Sequence, residues 1–133
     1  MKKSAYTMVE ILCVIVIIGA LASMVAPRLA GHSEKTRRAA ARVDIDANIA
    51  TALKLYEINT GSLPTTQEGL AVLWERPANA SDWNGPYLNN KPVDPWGRAY
   101  RYVSPGVHRP QDYDLSSLGR DGTQSADDVT NWE

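Results

Sequence analysis

The run from Ile11 to Ala26 (ILCVIVIIGALASMVA) carries no charge and does not suit the core of a small water-soluble domain, so it governs how the rest of the chain can be arranged. Lys2 and Lys3 precede it, as in a secretory signal or a membrane anchor. A secretory leader needs a small-residue cleavage site beyond its apolar part. Ala20-Leu21-Ala22 and Ala22-Ser23-Met24 are the candidates, and the run continues past both. As a helix rising about 1.5 Å per residue, Ile11–Ala26 covers about 24 Å, short of the ~30 Å apolar thickness of a bilayer. Counting from Tyr6 repairs the deficit but takes in Glu10, whose carboxylate costs on the order of 3 kcal/mol at a bilayer centre and less near an interface. Such a residue either snorkels to the interface or awaits an opposite charge.

What remains of the 133 residues is one small domain of roughly a hundred residues, a size that profits from an added metal, disulfide or neighbouring subunit. A disulfide is excluded, because the single cysteine, Cys13, lies in the apolar run and reads as a small hydrophobe. The formal net charge is −1, and loss of Lys2 and Lys3 would make it −3, so nucleic acid is not the expected partner. Phenylalanine is absent, but four tryptophans and six tyrosines can supply an aromatic core.

Past Pro27 comes a polar segment from Arg28 to Arg42, in which His32 to Arg38 reads as a solvated face or as a source of inter-subunit ion pairs. Ile45, Ile49, Ala52, Leu53 and Tyr56 then fall on one stripe of a 3.6-residue helix. Asn59-Thr60-Gly61 ends that helix, with Gly61 suited to the left-handed C-cap and Pro64 preventing resumption. One helix is thus expected over 6–60, interrupted at Gly19 and Pro27.

The stripe needs a surface to cover, which 61–133 must supply. Thr65-Thr66-Gln67-Glu68 has the form of a capping box opening a short helix through Trp74. The loop rich in Pro, Asn and Gly that follows is anchored by Trp83, Tyr87 and Leu88. Asp94-Pro95-Trp96-Gly97 signals a turn, 98–103 alternates as a strand, and a second strand is expected around 113–118. The fold class is therefore α+β: a long N-terminal helix, half membrane-spanning and half amphipathic, packed on a small antiparallel sheet. Between Leu118 and Asp128, Asp121, Asp127 and Asp128 stand among small polar residues. On composition alone this is first an acidic surface turn, and second a loop for a hard cation.

Lys3-Ser4-Ala5-Tyr6-Thr7-Met8-Val9-Glu10 resembles the processing site of type IV pilins and pseudopilins. The blocks Pro64 to Leu70, Asp94-Pro95-Trp96-Gly97, Tyr113-Asp114-Leu115, Ser117 to Gly122 and Asn131-Trp132 are similar, in order, to those of type II secretion major pseudopilins. The resemblance spans nearly the whole chain and implies a pilin-like fold. It divides the chain into a leader at 1–5, a long helix at 6–60 with a transmembrane anchor at about 6–27, and a globular head at 61–133 ending in a calcium loop. It also implies cleavage by a prepilin peptidase between Ala5 and Tyr6, although Ala5 stands where the family has glycine, and N-methylation of Tyr6. Glu10 would pair with the N-terminal amine of a neighbouring copy, while Gly19 and Pro27 would allow local unwinding on assembly. In the family's calcium loop Leu118 (through its carbonyl), Asp121 and Asp128 match ligand positions. The loop here is shorter than usual, so Asp127, the Ser125 carbonyl or the Gln124 side chain would complete the set.

The function so implied is structural, not enzymatic: a subunit anchored in the bacterial inner membrane by a single pass, with its head in the periplasm. It would assemble as a helical homo-oligomer with minor pseudopilins on an inner-membrane platform and drive folded proteins through the outer membrane. A type IV pilin for adhesion, motility or DNA uptake shares the architecture, but the lack of paired cysteines and the acidic balance weigh against it. An anchored enzyme finds little support, since His32 and His108 are the only histidines, with no nucleophile–base arrangement and no phosphate-binding glycine loop.

Overall fold

The computed structural model describes residues 6–78 and 80–133 and, within its first helix, the side chains outside 24–32. The leader with Ala5, and hence the expected cleavage point, lies outside the described residues. The chain divides into two compact units, Met1–Thr36 and Arg37–Glu133. The division falls within a helix, because the amphipathic turns beyond Thr36 bury their apolar side against the sheet.

In the first unit, helix α1 (Met8–Val43) begins. Its start is tied by a reciprocal pair. The Thr7 amide donates to Glu10 Oε2 (3.3 Å) and the Glu10 amide to Thr7 Oγ1 (3.3 Å), the pattern of a capping box. The interruption expected at Gly19 and Pro27 is not seen, since α1 runs continuously through both. A proline inside a helix removes a single backbone hydrogen bond, and the strong helix formers around it carry the ladder past the gap. The large apolar side chains from Tyr6 to Leu21 are exposed. Among the described residues no helix is long and apolar enough to cross a membrane. The far end of the span expected at 6–27 falls on 24–32, whose side chains lie outside the described residues.

The second unit takes the last turns of α1, a π-helical segment (Asp44–Ile49) and α2 (Ala50–Thr60). The π segment has a cause in the sequence. Ala41, Ile45, Ile49 and Leu53, all 0–1% exposed, recur every four residues, and each such step overshoots a 3.6-residue turn by about 40°. Over the three steps an α-helix would swing Leu53 about 120° away from Ala41. A π turn accommodates one residue more than an α turn and returns the stripe to the core. Gly61, at φ 83°, ends α2, and its amide donates to the Glu57 carbonyl (2.8 Å).

Thr65 and Glu68 form the expected capping box, with the Thr65 amide donating to Glu68 Oε2 (2.8 Å). The helix it opens is only a 3-10 turn, Gly69–Leu73. Trp83 donates from Nε1 to the Val72 carbonyl (2.7 Å), and the Tyr87 and Leu88 amides both donate to the Leu73 carbonyl. Tyr87 packs edge-on against both Tyr56 and Trp83, so the irregular loop is held as the sequence suggests.

The sheet has three antiparallel strands in the order β1 (Arg101–Val103), β2 (Asp114–Ser117), β3 (Val129–Thr130). Tyr102 faces Leu115, and Ser117 faces Val129. Both expected strands are shorter than the sequence suggests, and β3 was not expected at all. Helix and sheet share one core, in which Ile45, Ile49, Leu53 and Tyr56 join Tyr100, Tyr102, Tyr113, Leu115 and Val129. Two long-range bonds fasten it: Tyr100 Oη donates to Asp44 Oδ2 (2.8 Å), and Arg42 Nη1 donates to the Thr130 carbonyl (2.6 Å).

Candidate functional site

Between β2 and β3 the chain makes its acidic loop, entered through Gly119 (φ 61°) and turned again at Gly122 (φ 71°). Both conformations strain any residue with a Cβ, and at Gly119 a Cβ would also meet the Asp127 carbonyl and carboxylate at 2.8 Å. The loop is therefore folded back on itself. It brings Asp121, Asp127 and Asp128 together, with one carboxylate oxygen from each within 4.8 Å of the others.

Hydrogen bonds internal to the loop hold these acids. The Thr123 amide donates to Asp121 Oδ1 (2.9 Å), and the Ser125 amide to Asp128 Oδ1 (3.2 Å). The Ser125 hydroxyl lies between acids, bonded to Asp121 Oδ2 (3.0 Å) and to Asp127 Oδ1. Asp121 and Asp128 are shifted in opposite directions. Burial pushes Asp128 upward against the Ser125 amide, and the negative charges of Asp127, Asp121 and Glu133 add to the rise. The Thr123 amide holds Asp121 below the usual carboxylate range, helped by the Thr123 and Ser125 hydroxyls and the charge of Arg98.

Of the expected ligands, the structure brings the three aspartates together. The Leu118 carbonyl accepts the Gly122 amide (3.1 Å) and the Ser125 carbonyl accepts the Asp128 amide (3.2 Å), each keeping a second lone pair. Gln124 Oε1 lies toward Arg101, at 3.5 Å. Crowded carboxylates and an all-oxygen donor set fit a hard divalent cation, Ca2+ above all, whose flexible coordination accepts an irregular loop.

The floor of the loop was not legible in its own sequence. Asp94, 3% exposed, accepts the Trp96 and Arg98 amides at Oδ1 (3.1 and 2.7 Å) and the Ser117 hydroxyl at Oδ2 (2.6 Å). Ser117 Oγ accepts the Gly119 amide in turn (3.3 Å). The Asp94–Gly97 turn and the acidic loop are thus one hydrogen-bonded unit. The Thr7-Met8-Val9-Glu10 capping box was also passed over, although Thr-x-x-Glu is its sequence signature.

The model of the family described as type II secretion system (T2SS), protein G matches residues 28–132. The chain belongs to this family. The protein G relatives include the type II secretion system core protein G of Escherichia coli strain K12, 43% identical over 136 residues covering 98% of this chain and 92% of that one. The core protein G of Pseudomonas aeruginosa is 38% identical over 140 residues, covering 99% and 96%. That of Vibrio cholerae is 38% identical over 138 residues, covering 98% and 92%. Among solved structures, the crystal structure of the major pseudopilin from the type 2 secretion system of enterohaemorrhagic Escherichia coli superposes with a TM-score of 0.66 at 32% identity, covering 78% of this chain and 89% of that one. Protein G chains are structural pseudopilins and not enzymes, and this chain has their pilin-like fold.

Proposed function

We propose that the chain is the repeating subunit of a helical pseudopilus, assembled in the periplasm, whose growth pushes folded proteins toward the outer membrane. The observation that carries this reading is the exposed apolar surface from Tyr6 to Leu21, which no described residue covers. Such a surface calls for lipid, for other copies of the same helix, or for each in turn. In our reading the segment 6–27 is held in the inner membrane after cleavage between Ala5 and Tyr6. It then leaves the lipid to pack against neighbouring helices, with minor pseudopilins and a membrane platform as further partners. Glu10, whose carboxylate is bonded to Thr7 among the described residues, would exchange that cap for the N-terminal amine of the next subunit. Gly19, with nothing within 4 Å of a would-be Cβ, and Pro27 are the points where the helix would yield. Ca2+ bound by Asp121, Asp127, Asp128 and the Leu118 and Ser125 carbonyls would neutralise the loop and take the place of a disulfide.

Mass spectrometry of the chain from an assembling strain tests the anchor, with an N-methylated Tyr6 expected as first residue. A chain cut beyond Ala22 would refute it. For the filament, Glu10→Ala should abolish cross-linked ladders and secretion together while the head still folds. Chelation with EGTA should lower the head's melting temperature, and an unchanged value would remove calcium from the account.

A further inference from the structure

Arg98 follows the Asp94–Gly97 turn in sequence, yet its side chain belongs to the acidic loop. Its Nη1 donates to the Gly119 carbonyl (2.7 Å) and the Arg120 carbonyl (3.2 Å). The guanidinium lies flat over Gly122, where a Cβ would come within 2.6–2.8 Å of Cζ, Nε and Nη2. Its backbone is equally fixed, since the Arg98 amide donates to the buried Asp94 carboxylate. No carboxylate pairs with Arg98 among the described residues, so its charge is spent on carbonyl oxygens and on the field of the acids. Two physical consequences follow. The guanidinium clamps the loop's first turn through Nη1, and a permanent positive charge acts on Asp121 among the acids.

We propose that Arg98 is a built-in cation of the acidic loop, which holds residues 118–122 in their ligand-bearing shape without a metal and lowers the loop's affinity for Ca2+. The inference rests on the calcium reading above and adds to it a residue outside the loop that sets the affinity. Arg98 is a positioning residue, acting through the Gly119 and Arg120 carbonyls and through its charge. It makes the head less dependent on the metal. A residue with a merely structural part would, when removed, loosen the loop and weaken calcium binding. Removal of an opposing charge has the reverse effect, tightening binding while destabilising the metal-free form.

The test uses the full chain in detergent micelles, with Ca2+ affinity from calorimetric titration and melting followed by tryptophan fluorescence in EGTA and in saturating Ca2+. Arg98→Gln should bind Ca2+ about three- to tenfold more tightly than the wild type. Its melting temperature should fall more in EGTA than in Ca2+. Arg98→Lys, which keeps the charge and loses the guanidinium's bonds to the two carbonyls, should bind Ca2+ as the wild type does and so melt lower by the same amount in both buffers. Weaker binding by Arg98→Gln, or an equal loss of its melting temperature in both buffers, overturns the proposal while calcium still stabilises the wild type. A flat titration of the wild type itself overturns the calcium reading and the proposal with it. Should Arg98→Gln fold in neither buffer, Arg98→Lys decides: unchanged affinity supports the proposal, and reduced affinity overturns it.

Discussion

If the π segment holds one surplus residue, deletion of Ala47 should be tolerated, although it shortens a core helix in its middle. Ala47 is exposed, so no packing is lost with its side chain. Deletion within an α-helix rotates everything beyond it by about 100°, enough to carry a buried stripe into solvent. Here the existing four-residue spacing already exceeds the turn. Removing one residue between Ile45 and Ile49 leaves steps of four, three and four from Ala41 to Leu53, eleven residues in all and about 20° from closure on an α-helix. Ile45, Ile49 and Leu53 should stay buried while the segment becomes α-helical. The contrasting deletion is Lys54, between Leu53 and Tyr56, where no π turn can absorb the change. It turns Tyr56 off the core, and each large apolar group so exposed costs about 1.5–3 kcal/mol. In a unit of this size about 1 kcal/mol moves the melting temperature by roughly 4–8 °C. Melting followed by tryptophan fluorescence should show a shift of under about 5 °C for the Ala47 deletion, and a loss of about 10 °C or more for the Lys54 deletion. Equal damage from the two would refute the surplus-residue account.

Tyr100→Phe removes the 2.8 Å bond to Asp44 at the helix–sheet seam and should cost about 1.5 kcal/mol in urea unfolding, with an unchanged m-value. Burial raises the phenols of Tyr100 and Tyr113 and pushes Tyr102 up to about 12. The folded state thus keeps protons that the unfolded chain releases near pH 10, and stability, constant below that point, should fall as pH rises from about 10 to 12. Absorbance at 295 nm should accordingly show several tyrosines ionising only as the head unfolds. Gly106→Ala would drive a Cβ into the Asp114 carboxylate, which accepts the Val107, His108 and Arg109 amides, and into the Arg109 carbonyl at 2.7 Å. A loss of at least about 2 kcal/mol is expected, together with faster amide exchange at those three residues.

Local chemistry was readable wherever one short segment decides the outcome. Gly61 as a helix stop, the Thr65–Glu68 cap and the turn closed by Gly97 (φ 84°) each rest on neighbouring residues alone. The stripe was readable as well, but not the π segment that keeps it in phase. That depends on Ala41, a residue too small to stand out until its burial is seen. Strand β3 was missed because Val129–Thr130 is two residues long and exists only through pairing with β2. The 3-10 turn fell short of the expected helix for a similar reason. The Leu73 carbonyl that would extend it instead accepts the Tyr87 and Leu88 amides. At the acidic loop the aspartates could be picked out by composition. Asp94 and Arg98 could not, since they lie some twenty residues upstream and reach the loop only through the fold.

The bond from Arg42 to the Thr130 carbonyl joins two positions 88 residues apart. A ribosome must therefore add every residue between them before this link can form. Helix α2 and strands β1 and β2 are made earlier and wait for it, so the seam between helix and sheet closes late in synthesis. It follows that a product broken off between Ser117 and Val129 carries those elements but never locks them, and is open to proteolysis.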